Sequence, residues 1–464
     1  MRKLAASLAL AFAVLTAPVG AEELVLDLER VVELALTRNP ALQATEEQRN
    51  EVAGGIEEVK ADAWPQLRLL SSWSRSRNPS LLNSPDFEEI LRQFPDFKPS
   101  VQELWDLGVE LTQPVYTSGK VRAAIDLARI VADVTAAQIA AARLGTAMSA
   151  AEVYYQLLAA RSALETVQIQ QEARRESLAV VEARYELGEA TRLELLRARA
   201  ALEEVTPTVV RIRGQVEVEK SRLRMAVGLD SDIVIETPEP EIRTIADAEV
   251  DERLPEPPSS ETLLATARRQ RPELVDLRLQ ADALSRQRVV TVAEGRPQVD
   301  LSGSYGRQSR LPENLNDPLF EDWRVALSVS WSLFDGGRRK GQVAQLESRR
   351  EQLAWQLEDL ENRITFEIEQ AAAEYRTARE RCRAAQIAAR AAREASRVAR
   401  ESYQLGVAIQ ADLLDSQEQE IQAEFVLVDA FYDALIKAAQ LRRALGQLPT
   451  QPWKTDSHSE SEDS

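Results

Sequence analysis

The chain has 464 residues, and 57 Lys and Arg against 75 Asp and Glu give a formal net charge of −18. A charge of that sign argues against nucleic-acid binding, which requires a basic face. The single cysteine, Cys382, excludes an internal disulfide. Few aromatic residues and abundant Ala, Leu, Glu, Arg and Gln are typical of long helices rather than of an aromatic-rich globular core.

Residues 1–21 have the pattern of a secretory signal peptide. Arg2 and Lys3 precede an apolar run, and small residues end the segment at Ala21. Loss of this segment changes the formal charge from −18 to −20, because it removes both basic residues. No later stretch is apolar for about 18 residues, so we expect no transmembrane helix in the mature chain. Cys382 lies far from the cleavage site, which excludes a lipid-bearing N-terminal cysteine.

The first half of the mature chain predicts helix, strand, loop, strand, very long helix, turn and long helix. Residues 41–64 have a helical pattern that Gly54-Gly55 weakens and Pro65 ends. Two runs then alternate apolar and polar residues, as half-buried strands do, around a loop at 78–100 that is rich in Pro, Asn, Ser and Asp. The apolar positions of these two runs are Leu67, Leu69, Trp73, Trp105, Leu107, Val109 and Leu111.

Proline-free runs of about 67 residues predict two very long helices, at 120–186 and 338–405, each about 100 Å long. Glycine turns follow at Gly188 and Gly406, and returning helices of about 39 residues then reach Gly228 and Gly446. A returning helix and the roughly 25-residue helix before the strands add up to about 96 Å. This match predicts a rod with two helical layers of equal height.

The second half repeats the first. Asn39-Pro40 returns 232 positions later as Arg271-Pro272, whereas Trp105 returns 218 positions later as Trp323. The repeat predicts strands at 299–305 and 323–333 around a loop at 306–321. We therefore expect two structural repeats, 22–229 and 261–450, an irregular Pro- and acid-rich connector at 230–260, and a disordered acidic tail at 451–464.

Four strands with one apolar face cannot stand alone in lipid, because unpaired backbone groups at the sheet edges cost several kcal/mol each. A transmembrane barrel needs at least about eight strands, so several chains would have to share one barrel. Trp105, Trp323 and Trp331 lie near predicted strand ends, which suits the aromatic girdle of such a barrel. Alternation alone also permits the edge of a soluble sandwich.

The order of these pieces, present twice, resembles the outer-membrane efflux protein family of TolC-like channels over nearly all of residues 24–450. The resemblance rests on four features. They are the X-Pro helix starts at Pro40 and Pro272, Pro65 and Pro297 before strands, the strand ends Gln113-Pro114-Val115-Tyr116-Thr117-Ser118-Gly119 and Trp331-Ser332-Leu333-Phe334-Asp335-Gly336-Gly337, and the turns Tyr185-Glu186-Leu187-Gly188 and Tyr403-Gln404-Leu405-Gly406.

The resemblance implies a mainly α fold with a small transmembrane β part. Long helical hairpins would form a periplasmic tunnel, and four strands per chain would contribute to a twelve-stranded barrel of a homotrimer in outer-membrane lipid. The missing lipid-anchor cysteine favours the branch of the family without a lipid anchor.

The resemblance also implies an acidic constriction at the tunnel entrance. Asp412 and Asp415 lie three residues apart on one helix face, and three chains would gather six carboxylates, which would favour cations. Acids in the first turns of a helix also complement its dipole, which explains Asp412 better than Asp415. Glu194 is the first-half equivalent of Asp412, and Tyr403 would lie at the same entrance.

One position departs from the family pattern. The family's best-known member has an arginine two residues after the second turn glycine, where this chain has Ala408. Arg192 or Arg197 would have to replace it in holding the entrance closed.

Gly188 and Gly406 suit helix C-caps that need a positive φ. By resemblance, these turns are also tips that contact a periplasmic adaptor protein. The apolar residues Leu187, Ala190, Leu405 and Val407 flank the two glycines and would be exposed there for the adaptor to cover.

Enzymatic, cofactor and metal roles find no support in the sequence. His458 is the only histidine and lies in the predicted tail, and Cys382 is expected to be a packing residue. The glycine and lysine spacing of 336–341 does not match a phosphate loop and predicts a strand-to-helix turn.

The sequence therefore predicts a passive exit duct in the outer membrane, with most of the chain in the periplasm, that works with an adaptor and an inner-membrane pump. A duct for type I protein secretion is the alternative in the same class, and a periplasmic coiled-coil structural protein without a pore is the alternative in another. The sequence does not specify the cargo.

Overall fold

The computed structural model describes residues 23–76, 101–230, 233–237 and 253–451. The predicted signal peptide, the loop at 78–100 and the acidic tail beyond 451 lie outside this range, as does most of the connector. Two compact units make up the fold. The hairpin unit comprises the described residues of Met1–Glu46, Ile139–Pro272 and Leu360–Ser464, and the sheet unit comprises those of Glu47–Gln138 and Glu273–Asp359. Both units take segments from both sequence repeats.

Nine helices and six strands occur in the described residues. The helices are α1 Leu28–Arg38, α2 Pro40–Glu46, α3 Gln48–Ala61, α4 Lys120–Glu186, α5 Arg192–Val227, α6 Ser260–Gln270, α7 Pro272–Ala293, α8 Arg338–Gln404 and α9 Gln410–Ala444. The strands are β1 Glu23–Val25, β2 Gln66–Ser76, β3 Gln102–Tyr116, β4 Val234–Glu236, β5 Gln298–Ser309 and β6 Glu321–Ser330. The long helices α4 and α8 have 67 residues each, as predicted. None of the helices in this part of the chain is long and apolar enough to cross a membrane.

Several element boundaries differ from the sequence prediction. The helix expected over residues 41–64 is interrupted at Glu47. Gly54-Gly55 lies inside the continuous helix α3, because the hydrogen bonds of a helix join backbone groups and do not involve side chains. Strand β6 ends at Ser330, so Trp331 and Leu333 lie beyond it. Strand β5 runs to Ser309, which shortens the loop predicted at 306–321, and that loop contains two 3₁₀ helices, Pro312–Asn316 and Pro318–Phe320.

The sequence analysis missed helices α1 and α6 and a two-stranded parallel sheet. In that sheet β1 pairs with β4, which gives part of the expected irregular connector a regular structure. The helices that begin at Pro40 and Pro272 were predicted correctly. At the first of these, the Asn39 side chain accepts the backbone N–H of Ala41 at 3.0 Å and that of Leu42 at 3.1 Å, which satisfies donors that a helix start leaves unpaired.

The core of the hairpin unit follows a seven-residue spacing, typical of helices that pack side by side. Every seventh residue of the later part of α8 is buried, and the same spacing recurs along α9. The α8 series is Ile368, Tyr375, Cys382, Ala389, Ser396 and Tyr403, and the α9 series is Gln410, Gln417, Glu424, Phe431 and Ala438. Cys382 is fully buried, and burial raises the pKa of its thiol to about 11, as expected for a packing residue.

The sheet unit holds a four-stranded antiparallel sheet in the order β2-β3-β5-β6. Residues directly opposite one another share a face, so the register decides what each face contains. One row across the sheet reads Leu67, Leu111, Gly303 and Val325, and the next reads Leu69, Val109, Tyr305 and Trp323. The opposite face carries polar residues, among them Arg68, Glu110, Ser304 and Arg324. The predicted alternation is therefore correct for all four strands.

Two glycines at helix ends allow backbones of the hairpin unit to touch. Gly228 follows α5 with a φ of +70°, and a Cβ placed there would lie 2.4 Å from the carbonyl oxygen of Arg38. Gly446 repeats this arrangement in the second half, with a φ of +80° and a distance of 2.8 Å from such a Cβ to the Gln270 carbonyl oxygen. Only glycine fits both the left-handed backbone and the space available.

We predict that Gly228→Ala lowers the thermal stability of the purified protein by several degrees, because the new methyl group adds backbone strain and a collision, together about 2–4 kcal/mol. The matched control is Gly214→Ala, in the middle of α5, where nothing lies within 4 Å of an added Cβ. That change removes a poor helix former, so its melting temperature should stay the same or rise. Equal melting temperatures for the two variants would contradict the steric argument.

Candidate functional site: the hairpin tips and the apolar sheet face

The two helical hairpins, α4–α5 and α8–α9, turn in the same way. At the first tip, the Gly188 N–H bonds the carbonyl oxygen of Tyr185 at 3.0 Å and the Glu189 N–H bonds that of Arg184 at 2.8 Å. At the second tip, Gly406 and Val407 make the equivalent bonds to Tyr403 and Ser402. These pairs form a Schellman motif with glycine at the left-handed position, φ +77° at Gly188 and +73° at Gly406.

Large apolar side chains are exposed at both tips. Leu187 is 75% exposed, Leu405 79% and Val407 81%. Ala190, which the sequence analysis also expected to be exposed, is half-buried against the cluster of Val181, Leu195 and Ala198. The second tip therefore carries the larger apolar surface, and Ile409 extends it.

The acidic residues of the two tips differ in their bonding. Glu194 accepts the backbone N–H of Thr191 at 2.6 Å and its hydroxyl at 3.0 Å, while the Thr191 hydroxyl accepts the Glu194 N–H, which completes a capping box. The bond from the Thr191 backbone N–H is the main cause that holds the pKa of Glu194 below its usual range. The first-tip acid therefore stabilises its own helix start.

The second tip has no capping box. Ile409 occupies the N-cap of α9 and provides no side-chain acceptor. Asp412 and Asp415 are both exposed, and within the described residues no side chain or backbone group bonds their carboxylates. Two carboxylates on one helix face can attract cations, because no group in the described residues pairs with them.

Contacts between the hairpins hold the second tip against the first. The guanidinium of Arg184 lies 5.5 Å from the ring centroid of Tyr403, a cation–π distance. The buried Gln410 side chain donates to the backbone oxygen of Glu194 at 3.0 Å. Tyr403 is thus buried inside the hairpin unit, and Arg184 and Gln410 are contacts that the sequence analysis missed. Arg192 and Arg197 lie at the first tip and are exposed.

Further along the hairpins, the buried seam stays polar. Arg174 is only 7% exposed, and its Nε and Nη1 atoms bond nothing in the described part of the chain. Burial lowers the pKa of this guanidinium, and the carboxylates of Glu418 and Glu204 oppose the shift. The Gln417 side-chain oxygen is buried without a partner as well. Such unsatisfied groups weaken packing relative to an apolar seam.

The sheet unit presents the second functional surface. The apolar face of the sheet is exposed along all four strands, including Leu67, Leu69, Leu107, Trp323, Val325, Leu327 and Val329. Trp105 packs against Trp73 with ring centroids 5.9 Å apart and the rings tilted by 42°, at the end of the sheet where Tyr305 faces Trp323. Trp331 lies at the other end and donates its indole N–H to the Gly295 oxygen at 3.1 Å. Aromatic residues thus mark both ends of an apolar band.

Comparison with known proteins identifies this combination of exposed apolar strands and long hairpins. The family model described as "Outer membrane efflux protein" matches residues 31–229 and 263–447. The chain belongs to the outer membrane efflux protein family. It is therefore an outer-membrane channel protein of the TolC-like type, and membership excludes the alternative of a coiled-coil protein without a pore.

Individual relatives agree with this assignment. The outer membrane protein TolC of Vibrio cholerae is 21% identical over 92% of this chain and 92% of its own length. The alkaline protease secretion protein AprF of Pseudomonas aeruginosa is 24% identical over 64% of this chain and 60% of its own length. The crystal structure of the Campylobacter jejuni CmeC outer membrane channel shares the fold, with a TM-score of 0.73. The two chains are 18% identical, and the match covers 92% of this chain and 87% of that one.

Members of this family are transport channels, and nothing in the described residues supplies a metal centre: no group of three or more His, Cys, Asp or Glu side chains there could hold a metal ion. The turn predicted at 336–341 is shorter in the structure, because α8 already begins at Arg338 and only Gly336 and Gly337 precede it. Asp335 accepts the N–H groups of Gly337 and Arg339, which makes the segment a helix start.

We predict that Thr191→Ala speeds amide hydrogen exchange in the first turn of α5 about fivefold, because loss of an N-cap costs about 1 kcal/mol. Thr208→Ala, in the middle of the same helix, is the control and should leave that turn unchanged. Exchange measured by mass spectrometry on the purified protein tests both variants. An unchanged first turn in Thr191→Ala would show that the capping box does not stabilise the tip.

Proposed function

We propose that three copies of this chain close their sheets into one twelve-stranded barrel and that their hairpins continue it as a tunnel through the periplasm. The observation that carries this proposal is the sheet with one largely apolar exposed face and two outer strands, β2 and β6, that each pair on one side only among the described residues. Lipid tolerates strands only in a closed barrel. Twelve strands from three copies meet that requirement, whereas four do not.

The channel would act as the passive exit duct of a tripartite efflux system. The hairpin tips would contact a periplasmic adaptor protein, and an inner-membrane pump would provide the energy. The exposed Leu187, Leu405 and Val407 support this role, because exposed apolar groups of this size at a turn are typical of protein contact surfaces. We extend the proposal to the two sequence repeats, 22–229 and 261–450, as the units that each contribute one strand pair and one hairpin.

Asp412 and Asp415 would form the acidic ring of the entrance, with six carboxylates in three copies. Their exposure and lack of bonding partners among the described residues support this role better than a role in capping α9. Glu194 would contribute less charge to passing ions, because Thr191 bonds its carboxylate. The methyl group of Ala408 cannot form an ion pair or hydrogen bond that holds the entrance closed. The contact of the Arg184 guanidinium with the Tyr403 ring and the hydrogen bond from Gln410 to the Glu194 backbone oxygen would take over that task.

A second function in the same class is export of a protein substrate. The similarity to AprF, whose name describes secretion of alkaline protease, favours it. Deletion of the gene distinguishes the two functions. Loss of an efflux duct raises sensitivity to small toxic compounds, whereas loss of a secretion duct leaves a protein substrate inside the cell.

We predict that Asp412→Asn with Asp415→Asn weakens cation selectivity in planar lipid bilayers. Block by a trivalent cation added from the entrance side should weaken by more than about tenfold, or about 1.4 kcal/mol, because six charges are lost from one constriction. Glu358→Gln, an exposed position on α8 far from the tip in sequence, is the control. Unchanged selectivity and block in the double variant would remove these residues from the entrance.

We also predict that Leu405→Asp with Val407→Asp abolishes efflux in cells, because charged groups cannot be covered by an apolar adaptor surface. The channel should still assemble and reach the outer membrane, since both side chains are exposed in the chain itself. Leu319→Asp, at an 87% exposed apolar residue between β5 and β6, is the control and should keep efflux. Normal efflux in the tip variant would exclude adaptor contact at this surface.

A further inference from the structure

The sheet unit contains a groove between the end of α7 and the start of α8. Its volume is about 450 Å³, and three of its lining residues, Val292, Val343 and Ala344, are apolar. Arg296, Arg339 and Lys340 also line it and place three cationic groups together. Its remaining lining residue is Glu347, whose carboxylate bonds Arg288 at 3.1 Å.

The groove adjoins the end of the apolar sheet face. Trp331 continues the alternation of Val325, Leu327 and Val329, and its indole N–H bonds the Gly295 oxygen. Arg339 lies directly over Gly295, because a Cβ placed on that glycine would lie 0.9 Å from the Arg339 Nη1 atom. The exposed Leu333 and Phe334 follow Trp331. The cationic groups therefore lie next to the aromatic residues that end the apolar band.

Part of the positive charge at this place has no acidic partner among the described residues. Arg296, Arg338 and Lys340 are exposed, and no acidic group in the described residues pairs with their side chains. Arg339 pairs with Asp335 at 2.8 Å, and nearby Glu294 pairs with Lys120 at 3.4 Å. Unpaired cations at a helix start oppose the helix dipole, so Arg338 and Lys340 do not serve the stability of α8. They also stand out in a chain of net charge −18.

We propose that this groove binds an anionic phospholipid of the periplasmic leaflet of the outer membrane. Arg296 and Lys340 contact the phosphate headgroup, Arg339 borders it, and an acyl chain lies along Val292 and Val343. Basic groups beside an apolar surface at the membrane boundary suit this ligand, because the headgroup carries the charge and the chain covers the apolar wall. The proposal rests on the proposed insertion of the sheet in the outer membrane and is independent of the adaptor and the pump.

The test is a titration of phosphatidylglycerol onto the detergent-purified protein, followed by native mass spectrometry. Arg296→Gln with Lys340→Gln should bind phosphatidylglycerol about thirtyfold more weakly, because each basic side chain near an anionic lipid contributes about a factor of five. Arg339 is kept, since its ion pair with Asp335 supports the start of α8. Arg349→Gln with Arg350→Gln, which removes the same amount of charge from α8 outside the groove, is the control and should bind like the wild type.

Two further arms define the ligand. Phosphatidylcholine, which has the phosphate but no net charge, should bind the wild type more weakly than phosphatidylglycerol does. Millimolar inorganic phosphate should leave phosphatidylglycerol binding unchanged. Wild-type binding by Arg296→Gln with Lys340→Gln, an equal loss in the control pair, equal binding of the two lipids, or displacement by inorganic phosphate would each overturn the proposal.

Discussion

The rest of the structure depends on the unpaired edges of one sheet. Strands β2 and β6 each leave a row of backbone donors and acceptors open, while the face between them is apolar. Water would satisfy the edges but not the face, and lipid would satisfy the face but not the edges. Closure with other copies satisfies both. Assembly is therefore a condition for this sheet to occupy a membrane.

The hairpins meet a different requirement, because they pack in water along seams with a spacing of seven residues. Where those seams contain Val181, Leu195 or Phe431, burial alone stabilises the contact. Towards the second tip the same positions contain Ser396, Gln410 and Gln417, and Arg174 is buried beside them with unpaired donors. A seam of this kind fixes which helices pair but contributes little free energy. The seam towards the second tip is thus held less tightly than the apolar stretches of the hairpins.

Alternating apolar and polar residues predicted the strands, and long proline-free runs predicted the long helices. Both predictions were correct because these elements depend on residue types that are close together in the sequence. The bounds of α4 and the alternation of β3 are examples. Sequence reasoning failed where distant backbones meet. The pairing of β1 with β4 and the approach of Gly228 to Arg38 depend on residues about 200 positions apart. At the tips, the sequence pattern indicated the turn glycines and the apolar residues beside them. The contact of Arg184 with Tyr403 could not be predicted, because it depends on how the two hairpins pack together. The Thr191–Glu194 capping box did have a recognisable Thr-x-x-Glu signal that the sequence analysis overlooked.

The capping box at only one tip has a consequence for symmetry. Duplication gave each chain two strand pairs and two hairpins, so the wall of the proposed trimer would repeat six times around its axis. Thr191 bonds the acid of the first tip, whereas no described residue bonds Asp412 of the second tip. The scaffold of that trimer would be nearly sixfold, but the unbonded carboxylates of its tips would be threefold. A symmetric partner of the tips would then have to match this charge at 120° intervals rather than at 60°.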